Sequence, residues 1–246
     1  SRVEEVLKAQ NTLFALYDAN VQSADLSKNI IYIKASVVPK TYVPGTQVYF
    51  IGDTGEERVK ELAEEGEDHL FSAVLPCPLR DYAAVYAEIH SDGKVETQLV
   101  SELGGFSYDS APDVICYATG FWAMSAEDIN SGSSGYFLDI DPVNIRHDFY
   151  GNTVTAEKAD LFVIKNGKKV FHKSADINFE NGRFQLEYNP SLTVKPGDEL
   201  ITVVIITDNY GRRHVGYTEA CRCEDEGHST MEAIDLNYLE SEIMEI

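Results

Sequence analysis

Carboxylates dominate the chemistry open to this chain: 41 Asp and Glu stand against 20 Lys and Arg, with 6 His and 4 Cys. Acids in that number could ligate calcium through oxygen, or work in pairs on a glycosidic bond if two converge within about 5–9 Å. Asp139-Ile140-Asp141 opens like a calcium loop, yet Val143 and Asn144 stand where an EF-hand wants a liganding side chain and Gly. Asp139, Asp141 and Asp208 are therefore the calcium candidates, against the simpler reading of a solvated acidic loop; no metal and no other cofactor is assigned. The histidines (His69, His90, His147, His172, His214 and His228) are scattered, mostly at strand ends or beside turns. His147 with Asp148 could be drawn into a triad, but a chain this acidic permits many such pairings. Gly132-Ser133-Ser134-Gly135-Tyr136 lacks the closing Gly of a nucleophile elbow. No His is followed by Glu, and Gly93-Lys94 and Gly167-Lys168 lack the Ser or Thr of a phosphate loop. The expectation is a chain that is not an enzyme.

Aromatic rings offer a different chemistry, because flat faces stack on sugars or on partner side chains. Phe106, Tyr108, Phe149 and Tyr150 fall in loops or at strand edges and are the ligand-binding candidates; packing within or between sheets is the competing reading. A net charge of −21 repels phosphate backbones and anionic headgroups, which argues against nucleic acid and against direct membrane contact. The cysteines are too few for a disulfide scaffold. Cys221 and Cys223, two apart, face one side of a strand, so one of them could meet Cys116 if the first and last strands of that domain are neighbours.

These residues need a scaffold, and turn chemistry supplies its outline. Tyr82 to His90 runs through Ser91-Asp92-Gly93-Lys94 and returns as Val95 to Val100; Leu200 to Thr207 runs through Asp208-Asn209-Tyr210-Gly211 and returns through Arg212 to Tyr217. One hairpin written twice predicts two similar β domains. Further strands are expected at 30–38, 47–51, 69–75, 114–124, 136–140, 143–147, 161–164, 169–172 and 183–188, punctuated by Pro-Gly and Asn-Gly turns, with 56–67 a short helix or a polar strand and loop. Val3, Leu7, Gln10, Phe14 and Tyr17 step by four, three, four, three, which predicts an amphipathic helix over 1–26. That helix would be the end of a coiled-coil stalk and a place to oligomerise, or else a helix docked on the first sandwich. The expected layout is helix 1–26, a first sandwich 27–103, linker and second sandwich 104–226, and an acidic tail 227–246 in which 231–246 forms a short helix or an added edge strand.

Lys195-Pro196-Gly197-Asp198-Glu199-Leu200 followed by Thr207-Asp208-Asn209-Tyr210-Gly211 resembles the closing strands of bacterial immunoglobulin-like and fibronectin-type-III-like modules, and Asp81 to Lys94 resembles the same hairpin. The whole arrangement is similar to ectodomains of Gram-positive gut bacterial surface proteins, in which a membrane helix and coiled coil carry tandem immunoglobulin-like modules. Antibody-type signatures are absent: Trp122 lies six residues after Cys116, and Tyr86 has no Cys two residues on. The resemblance implies an all-β fold of two immunoglobulin-like sandwiches in tandem, and brings no catalytic residues. The expected function is a non-catalytic extracytoplasmic module of a bacterial surface protein, a spacer or a binder of an unidentified protein or glycan. The expected location is extracellular or on the cell surface, anchored through an upstream segment, since the chain begins with Ser1. The alternatives are an accessory carbohydrate-binding module, a β-sandwich hydrolase, and a virion or pilus subunit.

Overall fold

The computed structural model describes residues 12–119, 127, 130, 136–143, 147–179, 183–188, 192–224 and 228–230, and it is nearly all β. The chain divides into two compact units. Unit 1 holds Ser1–Ser110 with Asp148–Thr153, and unit 2 holds Ala111–His147 with Val154–Ile246.

Unit 1 is built from β1 (Phe14–Asp25), β2 (Ile30–Pro39), β3 (Gln47–Asp53), β4 (Arg58–Leu62), β5 (Glu64–Glu65), β6 (Phe71–Pro78), β7 (Tyr82–Ser91) and β8 (Lys94–Gly104). They form two antiparallel sheets, β1-β2-β6-β5 and β4-β3-β7-β8. Alternation explains the pairing of faces. Ile31, Ile33, Ala35 and Val37 of β2 are buried along one side, as are Val48 and Phe50 of β3 and Ala83, Val85, Ala87 and Ile89 of β7. Asp92 (φ 50°) and Gly93 (φ 73°) supply the positive φ pair that a two-residue hairpin needs, and so set the β7–β8 register. Gly52 is required by close approach: a Cβ there would lie 2.4 Å from the Sγ of Cys77 on the facing sheet.

Unit 2 repeats the order. β9 (Val114–Thr119), β10 (Tyr136–Pro142) and β15 (Phe184–Tyr188) make the sheet β15-β10-β9. β13 (Ala156–Lys165), β14 (Lys168–Asp176), β16 (Glu199–Asp208), β17 (Arg213–Cys223) and β18 (His228–Thr230) make the sheet β14-β13-β16-β17-β18. Leu138, Ile140, Leu161, Val204 and Ile206 fill the core between them. In each unit the first, second and last-but-two strands of the principal set face the four that include the final hairpin, an arrangement consistent with an immunoglobulin-like sandwich. Both final hairpins also carry a bulge, between Val85 and Tyr86 in unit 1 and between Val204 and Ile205 in unit 2. The Pro-Gly-Asp turn of unit 2 is held by its acid: Asp198, buried, accepts from Lys195 N (2.9 Å), Asn166 Nδ2 (2.8 Å) and Lys165 Nζ (2.8 Å).

Several expectations are corrected. Residues 14–25, placed in the helix 1–26 by a four-three spacing that runs through Phe14 and Tyr17, are β1, paired with β2 from Phe14 opposite Pro39 to Asp25 opposite Ile30. Ladder pairing with a neighbouring strand overrides the helical stripe, while residues 1–11 of that helix lie outside the described residues. The acidic run 56–67 resolves into β4, β5 and the beginning of a 3-10 turn at Glu67–His69. Val143 is not in a strand; the strands in that region are β11 (His147–Phe149) and β12 (Asn152–Val154), turned at Tyr150-Gly151. The linker 104–112 contains a one-turn helix, α1 (Phe106–Asp109). Cys116 makes no disulfide: all four cysteines are free thiols. β9 and β17 do lie against one another, but the residue beneath the Cys116 thiol is Gly216, whose Cβ would come within 2.8 Å of Sγ, while Cys221 and Cys223 pack in a separate cluster with Val163, Val194 and Leu200.

Candidate functional site

The strand alternation that buries Val85, Ala87 and Ile89 must turn Tyr86, Glu88 and His90 outward. Register then gathers their neighbours on the outer face of β4-β3-β7-β8: Tyr49 lies opposite Glu88 and Leu62, Tyr86 opposite Ile51 and Leu99, His90 opposite Val95. At the centre Lys60 Nζ donates to Glu88 Oε1 (2.6 Å) and stands 4.6 Å from the centre of the Tyr49 ring. His90 Nε2 shares the same Glu88 oxygen, and its ring tilts at 55° against Tyr49, 4.9 Å between centres. The Lys60 ammonium and then His90 hold the Glu88 carboxyl below its ordinary pKa. Leu62, Leu99 and Val95 are exposed around this cluster. The result is an ordered ionic and aromatic centre with an apolar margin, the mixture that suits a protein partner or a stacked sugar.

Of the cluster on this face, sequence reading named His90 alone, as one of the scattered histidines, and none of its residues as a binding candidate. The signal was nonetheless present: the alternation in Tyr82–Ser91 and the Asp92-Gly93 turn fix which side chains share its outer side.

The aromatic candidates separate by exposure. Phe106 and Phe149 are buried, whereas Tyr108 (86% exposed) and Tyr150 (46%) present their rings. Phe149 and Tyr150 meet edge to face, 4.7 Å apart. Tyr150 adopts φ 49°, a region that bulky residues rarely occupy, and Asn152 beside it donates to Ala24 O (2.9 Å) within unit 1.

The calcium candidates are not brought together. Asp139 and Asp141 sit two apart on β10, on one face, and Arg183 meets both. Its guanidinium donates twice to Asp141 (2.6 and 2.9 Å) and so holds that carboxyl below the usual range. The Nε of Arg183 is 3.4 Å from Asp139 Oδ1, a buried oxygen without a hydrogen bond. Asp208 lies on the other sheet, at the end of β16, with no side-chain exposure. It accepts from the backbone N–H of Tyr210 and Arg212 (2.9 Å each), from Arg212 Nε and Nη2 (2.9 and 2.7 Å), and from His214 Nε2 (2.9 Å). Burial works to raise its pKa, but His214 and Arg212 outweigh burial and the carboxyl is lowered. It organises the hairpin turn. Among the described residues, no group of three or more His, Cys, Asp or Glu is arranged around a common metal position.

One further acid tests the nucleophile question. Asp160, buried on β13, accepts from His172 Nε2 (2.8 Å) and from the Ser174 hydroxyl, with Lys158 Nζ at 3.4 Å. The carboxylate is the middle member, so the imidazole is not placed to take a proton from the serine, as base catalysis requires. Beside the Asp208 turn lies an open groove of about 520 Å³, edged by Glu157, Lys158, Asp176 and Asn209. The side chain of His147 lies outside the described residues, and Asp148 accepts from Thr153 Oγ1 (3.2 Å). Among the described residues no helix is long and apolar enough to cross a membrane.

No protein-family model matches the chain, and no curated protein matches it. Solved structures give distant similarities. A structure of the receptor tyrosine kinase Torso, concerned with neurohormone perception, is 12% identical with a TM-score of 0.25, over 85% of this chain and 76% of that one. The Yersinia pseudotuberculosis adhesin InvE is 12% identical with a TM-score of 0.29, over 83% of this chain and 58% of that one. The FN1–FN3 domains of chicken CNTN1 are 11% identical with a TM-score of 0.29, over 87% and 65%. The chain thus spans less than two thirds of the adhesin and CNTN1 chains it matches.

Proposed function

We propose that this chain is a non-catalytic, extracytoplasmic pair of immunoglobulin-like sandwiches in tandem that binds a protein or glycan through the outer face of β4-β3-β7-β8. The observation that carries the reading is the cluster of Tyr49, Lys60, Glu88 and His90 bordered by exposed Leu62, Leu99 and Val95. Its ion pairs hold the side chains in place before a partner arrives, which lowers the ordering cost of binding. Asp141, Asp208 and Asp198 are each paired with one of the chain's own cations, Arg183, Arg212 and Lys165, which supports a scaffold and not a reaction centre at those three acids. The similarity to Gram-positive gut bacterial surface proteins, and location at a cell surface, belong to this proposal.

Arrays of immobilised glycans and of extracellular protein domains, probed with the intact chain, test it. Binding to one class that falls at least tenfold with Tyr49→Ala is expected. Turnover of ester, glycoside or phosphoester substrates by the purified chain would overturn it.

A further inference from the structure

Of the described strands nine residues or longer, three lie at the edge of a sheet: β1, β8 and β14. An edge strand leaves the N–H and C=O of every second residue unpaired, and proteins blunt such rows with bulges and lysines. β1 is interrupted at Ala15 and Gln22, and its Ala24 carbonyl accepts from the Asn152 amide. β14 carries Lys168, Lys169 and Lys173, with a bulge at Val170. β8 is different. It has one lysine, Lys94 at the turn, and its register is unbroken from there to Leu99, before the bulge at Val100.

Turn geometry decides which backbone groups of β8 are free. Asp92-Gly93 is a two-residue turn closed by Ser91 and Lys94, which therefore exchange both ladder bonds. Alternation from that pair bonds Glu96 to Ile89 and Gln98 to Ala87, and it turns the N–H and C=O of Val95, Thr97 and Leu99 away from β7. Among the described residues, those three have no main-chain partner beyond β7. Gln98 is engaged through its side chain, which accepts from Leu13 N (2.6 Å) and donates to Thr12 Oγ1 (2.9 Å), so the main-chain row is left untouched. The side chains of Val95 and Leu99 are 58% and 39% exposed, on the outer face beside His90 and Tyr86.

We propose that β8 takes up an extended segment of a protein partner, alternating apolar and basic residues, as a fifth strand paired along Val95–Leu99. The proposal rests on the outer face of β4-β3-β7-β8 being the working surface, and it states the class of partner and the mode of binding. The free groups repeat every two residues, about 6.8 Å, which is the repeat of another strand and selects a polypeptide over a sugar. Three such residues offer about six main-chain bonds. Partner residues opposite Val95, Thr97 and Leu99 project on the outer face, where apolar side chains extend the margin formed by Val95 and Leu99. Those opposite Glu96 and Gln98 project on the other side, where the exposed Glu96 carboxylate and a chain net charge of −21 both favour a cation.

The probe is the acetylated, amidated peptide Lys-Val-Lys-Val-Lys-Val-Lys, added to the intact isotope-labelled chain, with amide hydrogen exchange as the readout. In the free chain the amides of Val95, Thr97 and Leu99 should exchange at least tenfold faster than those of Glu96 and Gln98. The peptide should slow the three at least tenfold, and a counterpart with glutamate in place of lysine should leave them unchanged. Thr97→Pro deletes a central outward N–H and no bond to β7, and should abolish the slowing. Three amides already slow in the free chain, unaffected by the lysine peptide, or slowed equally by both peptides would overturn the proposal. Exchange in the unmodified chain decides this even if Thr97→Pro does not fold. For a protein captured on the arrays, binding lost with Tyr49→Ala but kept in Thr97→Pro would overturn strand addition and leave the face reading standing. Binding lost with Thr97→Pro but kept in Tyr49→Ala would do the reverse. A glycan as the bound class would overturn strand addition alone.

Discussion

Replacing Gly52 by Ala should destabilise unit 1, although Ala is the better strand former. A Cβ at position 52 would lie 2.4 Å from Cys77 Sγ and 3.8 Å from Leu75 Cδ1, and ordinary contact begins at 3.4 Å. The thiol, fully buried on β6, must then retreat by about 1 Å into packed surroundings. Such overpacking costs about 1–3 kcal/mol, against about 0.5–1 kcal/mol regained from the lower chain entropy of Ala. The net expectation is a loss of about 1–2 kcal/mol. Cys77→Ala alone should cost about 1–2 kcal/mol through the lost thiol and the space it leaves. In the double variant the new methyl occupies that space, so the two losses should fall short of their sum by about 1–2 kcal/mol. Urea unfolding, with hydrogen exchange of β3 and β6 reporting on unit 1, measures all three. Additivity within about 0.5 kcal/mol would show that the two residues do not press on one another and would refute the packing described here.

Three further outcomes follow from the same geometry. Asp208→Ala should lower stability by about 3–5 kcal/mol in urea titrations, because it removes from a buried site the carboxylate that accepts from Arg212 and from the turn N–H groups. Asp198, held at about 2 chiefly by Lys165, has a folded pKa below the ordinary 3.8; its contribution is complete above pH 4 and disappears as pH falls through 2. Thermal melts from pH 5 to 2 should therefore lose less stability in Asp198→Asn than in the parent. The thiols of Cys116 and Cys221 are pushed up by burial to about 12, and that of Cys77 to about 11. Native protein should leave all four cysteines unreacted with a thiol reagent over minutes, and denatured protein should react at every one.

The parts of the fold legible in the sequence are those written in turn chemistry. Asp92-Gly93 and Asn166-Gly167 specify positive φ at both centres, and the strands they join are where the alternation places them. Residues 14–20 were illegible for the opposite reason: Phe14 and Tyr17 satisfy a helical step, and only the presence of β2 as a ladder partner makes them strand. The short hairpin at Tyr150-Gly151 escaped because Tyr is a poor occupant of that turn and gives no signal for it. Asp208 was read as an exposed loop acid; its burial depends on Arg212 and His214 folding back over it, which spacing does not reveal. The face around Glu88 depends on three strands meeting in register, so its members could be assembled only once β3 and β4 were placed beside β7.

The central claim, that the outer face of β4-β3-β7-β8 is the working surface, is tested most directly by paired binding curves. A partner found on the arrays should bind the Tyr49→Ala and Lys60→Ala variants at least tenfold more weakly, with the unfolding midpoint of each variant close to that of the parent. A Tyr108→Ala variant should bind as the parent does. Unchanged affinity in the first two with loss in the third would place the surface elsewhere and contradict the account.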